Sequence, residues 1–252
     1  MELEIAVLSR PGGRTVNEDA CGFWSGADVC FCVVSDGAGG HGGGDVASKL
    51  VVQEALAAFR DKHEECNGDA VEAAMRIANE ALVREQGSRV ELADMRATVV
   101  VLAIDFDREY AAWGHLGDSR LYCFRRRRIV AQTRDHSVVQ SMVDAGLLQP
   151  DKVRSSPERS KLLKALGDPD AFEPSIERVA FGLEDEDKFL LCTDGLWEYV
   201  EEGELERSLQ DASSAEEWLR ALESCVLARS PAKHDNYSAL AVWCKDASKI
   251  AA

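Results

Sequence analysis

Apolar residues along this chain fall into short runs, each stopped by acidic or glycine-containing stretches. Runs that read as strands are Leu3 to Leu8, Val29 to Val34, Thr98 to Phe106, Tyr110 to Leu116, Leu121 to Phe124, Ile129 to Gln132, Phe189 to Cys192 and Tyr237 to Cys244. Helical spacing occurs in separate blocks. Val71, Ala74, Met75, Ala78 and Leu82 fall on one face, and a second block runs from about Asp45 to His63. Further helices are expected from Ser137 to Ala145, ended by Gly146, and from Ser214 to Leu227, with Ser213 or Ser214 as cap. Strand groups punctuated by helix pairs predict an α+β fold, with two mainly antiparallel sheets flanked by helices, in preference to a doubly wound parallel sheet. No internal repeat, low-complexity segment or Pro- or Ser-rich linker breaks the chain, so a single domain over residues 1–252 is expected. The loop at about 148–161, with two prolines and mixed charge, reads as a flap.

The 252 residues are 46% hydrophobic, enough for a sizeable core. The formal charge of −16 is concentrated in stretches such as Glu184-Asp185-Glu186-Asp187 and Glu201-Glu202-Gly203-Glu204. It argues against nucleic acid or an anionic membrane as partner. No apolar run is long enough to cross a bilayer, and Met1-Glu2-Leu3-Glu4 lacks the basic opening of a secretory signal, so a cytoplasmic protein is expected. Eight cysteines, none in a Cys-x-x-Cys pair and most inside apolar runs, predict reduced, buried thiols.

Candidate chemistry lies where the runs stop: Arg14-x-x-Asn17-Glu18-Asp19, Asp36-Gly37-Ala38-Gly39-Gly40-His41, Thr193-Asp194-Gly195 and Asp235-Asn236. An apolar strand delivers Asp36 to its carboxyl end, and Gly37 lets the backbone approach whatever that carboxylate binds. Asp194-Gly195 repeats the arrangement, and Asp235 precedes its strand. One end of an antiparallel sheet is therefore expected to present Asp36, Asp194 and Asp235 together. A single Asp-Gly is an ordinary turn signal. Jointly, converging carboxylates repel one another unless a cation stands between them, which points to hard divalent metal ions.

Together with Met95 to Thr98, Gly117-Asp118-Ser119-Arg120, Thr133 to Ser137, Leu163 to Gly167 and Leu191 to Trp197, these motifs occur in family order over nearly the whole chain. The chain resembles a metal-dependent Ser/Thr protein phosphatase of the type 2C (PPM) family, in its compact bacterial form. The resemblance implies a four-layer α/β/β/α sandwich with a two-metal centre at one edge. It makes Asp36 the bridge between two Mn²⁺ or Mg²⁺ ions, with Asp194 and Asp235 completing one and Glu18 and the Gly37 carbonyl serving the other. Asp118, sharing Asp194, resembles the holder of a third, weaker ion. Arg14 resembles the phosphate clamp, and Asp19 matches a residue that orients the attacking water. The activity implied is hydrolysis of phosphoserine and phosphothreonine in proteins, opposing a Ser/Thr kinase, by a monomer.

Physical chemistry agrees with these roles. A phosphomonoester dianion is repelled by a −16 protein unless bound cations invert the local field. Two ions about 3.5–4 Å apart can also bring a shared water to hydroxide near neutral pH. A guanidinium at position 14 can grip two phosphate oxygens in a fork. A phosphatase-like regulatory module without turnover is the alternative, and retention of all the carboxylates favours the enzyme; small phosphoesters are a third substrate class. Position 38 is alanine where relatives carry histidine or methionine, so a metal-associated water or His41 is left as proton donor. Arg96 stands where the family usually has glycine. Arg125 to Arg128 reads as a solvated hairpin turn in preference to an anion site, Asp135 or Ser137 as a helix cap, Cys192 as packing, and Trp197 and Trp243 as core or rim aromatics.

Overall fold

Strand Lys188–Cys192 shows why apolar runs rather than alternating patterns mark this chain: Phe189 and Leu191 pack on one face among residues of a second sheet, Leu190 and Cys192 on the other beneath helices. Strands buried on both faces need no polar positions. The computed structural model describes residues 2–39, 43–61, 66–168 and 171–245.

The strands are β1 Glu2–Arg10, β2 Asp19–Ser25, β3 Val29–Ala38, β4 Arg96–Ala97, β5 Val99–Asp105, β6 Tyr110–Leu116, β7 Arg120–Arg125, β8 Arg128–Gln132, β9 Ser175–Ile176, β10 Phe181–Gly182, β11 Lys188–Cys192 and β12 Tyr237–Lys245. The helices are α1 Gly44–Asp61, α2 Gly68–Gln86, α3 Val138–Asp144, the single turn α4 Asp194–Trp197, α5 Glu202–Asp211 and α6 Ala215–Arg229. One sheet has the order β1-β12-β11-β7-β8; the other runs β10-β6-β5-β3-β2, with β4 on β3 and β9 on β6. The pairs among described residues are antiparallel.

Three apolar layers hold the stack. Phe31, Val33 and Val101 meet Val51, Met75 and Leu82 of α1 and α2. Leu190 and Ala241 meet Leu205, Trp218 and Leu222 of α5 and α6. Cys30, Cys32, Leu102, Leu191 and Val242 fill the space between the sheets. The four-layer sandwich implied by the resemblance is thus the architecture, and all eight expected strands are present.

Besides the short β4, β9, β10 and α4, two larger elements escape the sequence pattern. Strand β2 is only half-buried along much of its length, and its apolar residues are interrupted by Gly22. Helix α5 begins in the acidic stretch at 201–204, which is not merely a solvated charge run: Glu201 and Glu204 form a reciprocal capping box, and Leu205 and Leu209 anchor the helix to the core. Ser137 and Ser214 are the caps of α3 and α6, accepting hydrogen bonds from Gln140 N and Glu217 N. Asp135 is not a cap; it is buried in an ion pair described below. Helix α1 starts one residue before Asp45 and is described to Asp61, and His63 lies outside the described residues.

The loop at 148–161 is tied down at Arg154, whose Nε donates to the Trp197 carbonyl at 2.9 Å and whose Nη2 meets Glu202 at 2.8 Å. Arg159 Nε donates to Glu198 Oε1 at 2.7 Å. All eight cysteines are free thiols. Among the described residues no helix is long and apolar enough to cross a membrane.

Candidate metal centre

Asp36 lies near the end of β3, Asp194 begins α4 directly after β11, and Asp235 stands two residues before β12. Asp194 and Asp235 share one end of the first sheet because β11 and β12 are hydrogen-bonded neighbours, with Cys192 opposite Ala239. Asp36 does not belong to that sheet. The expectation that a single sheet end presents all three is therefore corrected: β3 is in the other sheet, and face-to-face stacking brings Asp36 to the same edge. A cleft of about 310 Å³ results, lined by Arg14, Glu18, Asp36, Gly37, Asp118, Asp194 and Asp235 among others. Asp19, buried behind this lining, is the register partner of Asp36 across the β2–β3 pair.

Both glycines that follow a strand-end aspartate are required by close backbone approach. A Cβ on Gly37 would lie 1.9 Å from the Gly44 carbonyl oxygen, and one on Gly195 would lie 2.0 Å from the Asn236 carbonyl oxygen. Either contact would push the aspartate-bearing turn off its neighbour.

Side chains quoted only as parts of motifs turn out to hold the cleft together. Asn236 donates from Nδ2 to the Pro11 and Val16 carbonyls, both at 2.9 Å, and accepts from Glu18 N at 2.8 Å, fastening the loop of Arg14 and Glu18 to β12. Thr98 Oγ1 accepts from Asp36 N at 3.0 Å and lies 2.7 Å from Ser119 Oγ, linking β3 to the Asp118 loop. Thr193 Oγ1 donates to Asp19 Oδ2 at 2.9 Å. Trp197 Nε1 donates to the Asp118 carbonyl at 2.9 Å, while the Arg120 guanidinium stacks 3.6 Å over the same indole and grips Asp135 through two bonds of 2.8 Å. Thr193 and Asn236 stand within the acidic motifs, whereas Thr98, Ser119, Arg120, Asp135 and Trp197 stood out in the sequence only within the stretches that resemble the family. Arg96 lines the cleft and donates from Nη1 to the Met95 carbonyl at 3.0 Å.

The electrostatics are those of too many negative charges in one place. Burial, and then Asp194, Asp19, Asp118 and Asp235, push the Asp36 carboxyl far above its ordinary range; burial, Asp118 and Glu198 do the same to Asp194. Burial raises Asp19 to about 7 against the opposing Thr193 hydrogen bond. Burial and Asp135 raise Asp118 to about 7 against the opposing Arg120 cation. Glu18 is raised by burial and by Asp45 and Asp235. Asp19 Oδ1 and Asp194 Oδ1 are buried without a hydrogen-bond partner. Buried oxygens left unpaired and carboxyls that resist ionisation are the signature of a site lacking a compensating charge. An all-oxygen donor set suits Mg²⁺ or Mn²⁺.

Side-chain positions are not those of closed coordination, since among the described residues no three His, Cys, Asp or Glu side chains are gathered to hold an ion. Asp235 is turned towards Arg14, 2.8 Å away. Ala38 lines the cleft and has no proton to give, and His41 lies outside the described residues.

Comparison with known proteins adds to the geometry. The family model for protein phosphatase 2C matches residues 11–235. The chain is 34% identical over 223 residues to the serine/threonine protein phosphatase PstP of Mycobacterium tuberculosis, covering 86% of this chain and 41% of that protein. It is 30% identical over 234 residues to the serine/threonine phosphatase stp of Listeria monocytogenes, covering 91% of this chain and 90% of that one. A crystal structure of the catalytic domain of PstP in complex with two manganese ions superposes with a TM-score of 0.80 at 30% identity, over 97% of this chain and 99% of that domain.

Proposed function

The chain belongs to the protein phosphatase 2C family, and from that premise we propose that it hydrolyses phosphoserine and phosphothreonine in proteins at a two- or three-metal centre. One observation carries the reading: Asp36, Asp194 and Asp235, drawn from two sheets, line one cleft in which an Asp194 oxygen is buried without a partner. Asp36, Asp194 and Asp235 would hold one ion, and Asp36, Glu18 and the Gly37 carbonyl a second. Asp118 with Asp194 would hold a third, weaker one. Bound Mn²⁺ or Mg²⁺ would offset the cleft's negative charge and lower the pKa of water towards neutrality.

The chain's own residues supply the rest. Arg14, half-exposed at the rim, can grip two phosphate oxygens and fix phosphorus for in-line attack. Asp19, with Oδ2 tied to Thr193, keeps Oδ1 without a partner and would serve to orient the attacking water at the metal centre. No side chain is needed as a phosphate carrier. Its substrates on this reading are phosphoproteins made by an opposing Ser/Thr kinase in the cytoplasm. A monomer serves, with residues 1–252 as one domain and the loop at 148–161 as its flap.

The test is hydrolysis of phosphoserine, phosphothreonine and phosphotyrosine peptides with Mn²⁺ and after chelation. Turnover of the first two that vanishes with chelator is expected. Binding of a phosphopeptide without turnover, in metal-loaded protein, would instead favour the regulatory module.

A further inference from the structure

The short strand β4 stands between the turn at Asp36 and the chain that leaves the loop at 148–161. On one side it pairs with β3, Gly37 opposite Ala97 and Ala38 opposite Arg96. On the other, Ala97 exchanges backbone hydrogen bonds of 3.2 and 2.7 Å with Leu166. Ala97 is buried in the core beside α1 and α2. Successive side chains of a strand face opposite ways, so Arg96 faces the cleft, which it lines together with Ala38, Ser160 and Leu162. Its stem leans on Gly167, where a Cβ would stand 3.0 Å from Arg96 Cδ. Alanine at 38 and arginine at 96, both departures from the family pattern, are therefore neighbours on one wall. Of the two, only Arg96 reaches beyond its Cβ and carries a charge.

Arg14 and Arg96 both line the cleft, and their situations differ. Arg14 is engaged with Asp235. Among the described residues Arg96 has no carboxylate within ion-pairing distance, and its guanidinium makes one hydrogen bond, from Nη1 to the Met95 carbonyl at 3.0 Å. That carbonyl also accepts from Gln86 Nε2 at 2.8 Å. It keeps a partner when Arg96 lets go, so exchanging this bond for one to an anion leaves no acceptor unpaired. The carboxylates of the same cleft, Glu18, Asp36, Asp118, Asp194 and Asp235, are those that bound cations would match. With their charge met and Arg14 on the phosphoryl group, the Arg96 guanidinium faces the substrate without a counter-charge.

We propose that Arg96 is a specificity-determining residue: it grips an anionic group that the substrate carries beside its phosphorylated residue, either the carboxylate of an acidic side chain or a second phosphate. The inference rests on the phosphatase reading of the cleft and adds to it a preference that Arg14 and the metal ligands do not supply. A planar guanidinium takes either anion through two parallel N–H donors. Position favours a flanking group over the transferred phosphoryl itself. The stem leans on Gly167, next to Leu166, on the side of β4 away from β3 and Asp36.

Three fluorescent peptides test it, each with a non-hydrolysable phosphonate in place of one phosphoserine and with alanine, glutamate or a second phosphonate beside it. They are titrated into Mg²⁺-loaded protein and followed by anisotropy. The glutamate-flanked or the doubly phosphonylated peptide is expected to bind about tenfold tighter than the alanine-flanked one, and the preferred peptide identifies the anion. Arg96→Ala should bring that ratio below about twofold, and Arg96→Lys, which keeps a point charge without the fork, should retain part of it. Reading each variant as a ratio between peptides separates the contact from a general loss of folded protein. The matching phosphopeptides, hydrolysed with Mn²⁺, should show the same ratio through KM. Hydrolysis of all three without the ratio removes the inference and leaves the phosphatase reading, whereas binding with the ratio but without hydrolysis does the reverse. A wild-type ratio below about twofold, no saturable binding of any peptide, or a ratio that survives Arg96→Ala overturns the proposal.

Discussion

Arg14 Nη2 lies 2.8 Å from Asp235 Oδ2, so the residue matched to the phosphate clamp and a residue matched to the metal ligands are engaged with each other. Both side chains are about half exposed, at 55% and 48%. An ion pair so open to water is worth about 0–1 kcal/mol and is easily exchanged for better partners. Asp235 can turn to a cation and Arg14 to phosphate at little cost. Arg14→Ala should therefore raise KM for a phosphopeptide about tenfold with a smaller fall in kcat. A Michaelis curve with unchanged KM would remove Arg14 from the substrate.

Asp36 and Asp194 are both pushed well above the ordinary carboxyl range, first by burial and then by neighbouring carboxylates, Asp194 foremost for Asp36 and Asp118 foremost for Asp194. Asp36→Asn and Asp194→Asn should each lower metal-dependent turnover about 100-fold or more, as loss of a ligand does. In chelator-treated protein the same changes should raise the melting temperature, because a repelling carboxyl is removed; about 1 kcal/mol corresponds to roughly 2–4 °C in a chain of this size. Wild-type rates in either variant would dissolve the assigned centre, and an unchanged or lowered melting temperature would contradict the electrostatic reading.

Asp118 is attached to the cleft through Trp197 and through the Thr98–Ser119 hydroxyl pair, which in turn holds Asp36 N of β3. Asp118→Asn should weaken turnover while two tightly bound ions persist, as counted by elemental analysis after gel filtration. Loss of both ions would place Asp118 in the two-metal site itself.

Arg120 and Asp135 are a buried bidentate pair, their side chains 6% and 2% exposed. Removing Asp135 leaves the buried Arg120 guanidinium with only the more exposed Glu202, 3.7 Å away, as counter-charge, which costs up to about 3–5 kcal/mol. Asp135→Ala should lower the urea midpoint accordingly, and through Trp197 it should loosen Asp118 as well. A change below about 1 kcal/mol would show that water replaces the lost carboxylate.

His136 is held neutral: its Nδ1 accepts from Gly117 N at 3.2 Å, which leaves the ring proton on Nε2 facing Ser175 Oγ at 2.9 Å. Burial, and then the His115 ring stacked at 4.5 Å, lower its pKa from 6.5 to about 4. Between those values the unfolded chain holds a proton that the folded one does not. The contribution is full above pH 6.5 and is lost as pH falls towards 4. Urea midpoints at pH 7 and pH 5 should fall more steeply for the wild type than for His136→Gln. Parallel slopes would mean that His136 is protonated in the fold.

The residues alone determined eight strands and four helices, because unbroken apolar runs and a 3.6-residue spacing are local signals; β2, the short β4, β9 and β10, the single turn α4 and α5, capped by glutamates, lacked them. They also brought Asp36 and Asp194 forward as candidates, since an aspartate followed by glycine at the end of an apolar run is legible without knowing the partner backbone. Which sheet receives each strand was not legible. Strands buried on both faces carry no alternation to mark an inner side, so the placement of Asp36 opposite Asp194 and Asp235 was decided by stacking between layers. The same holds for the grip of Arg14 on Asp235, the fastening of the first loop by Asn236, and the placement of Arg96 beside Ala38. Each joins residues far apart in the chain, and only tertiary packing, which follows from the sum of all the buried surfaces, brings them within reach.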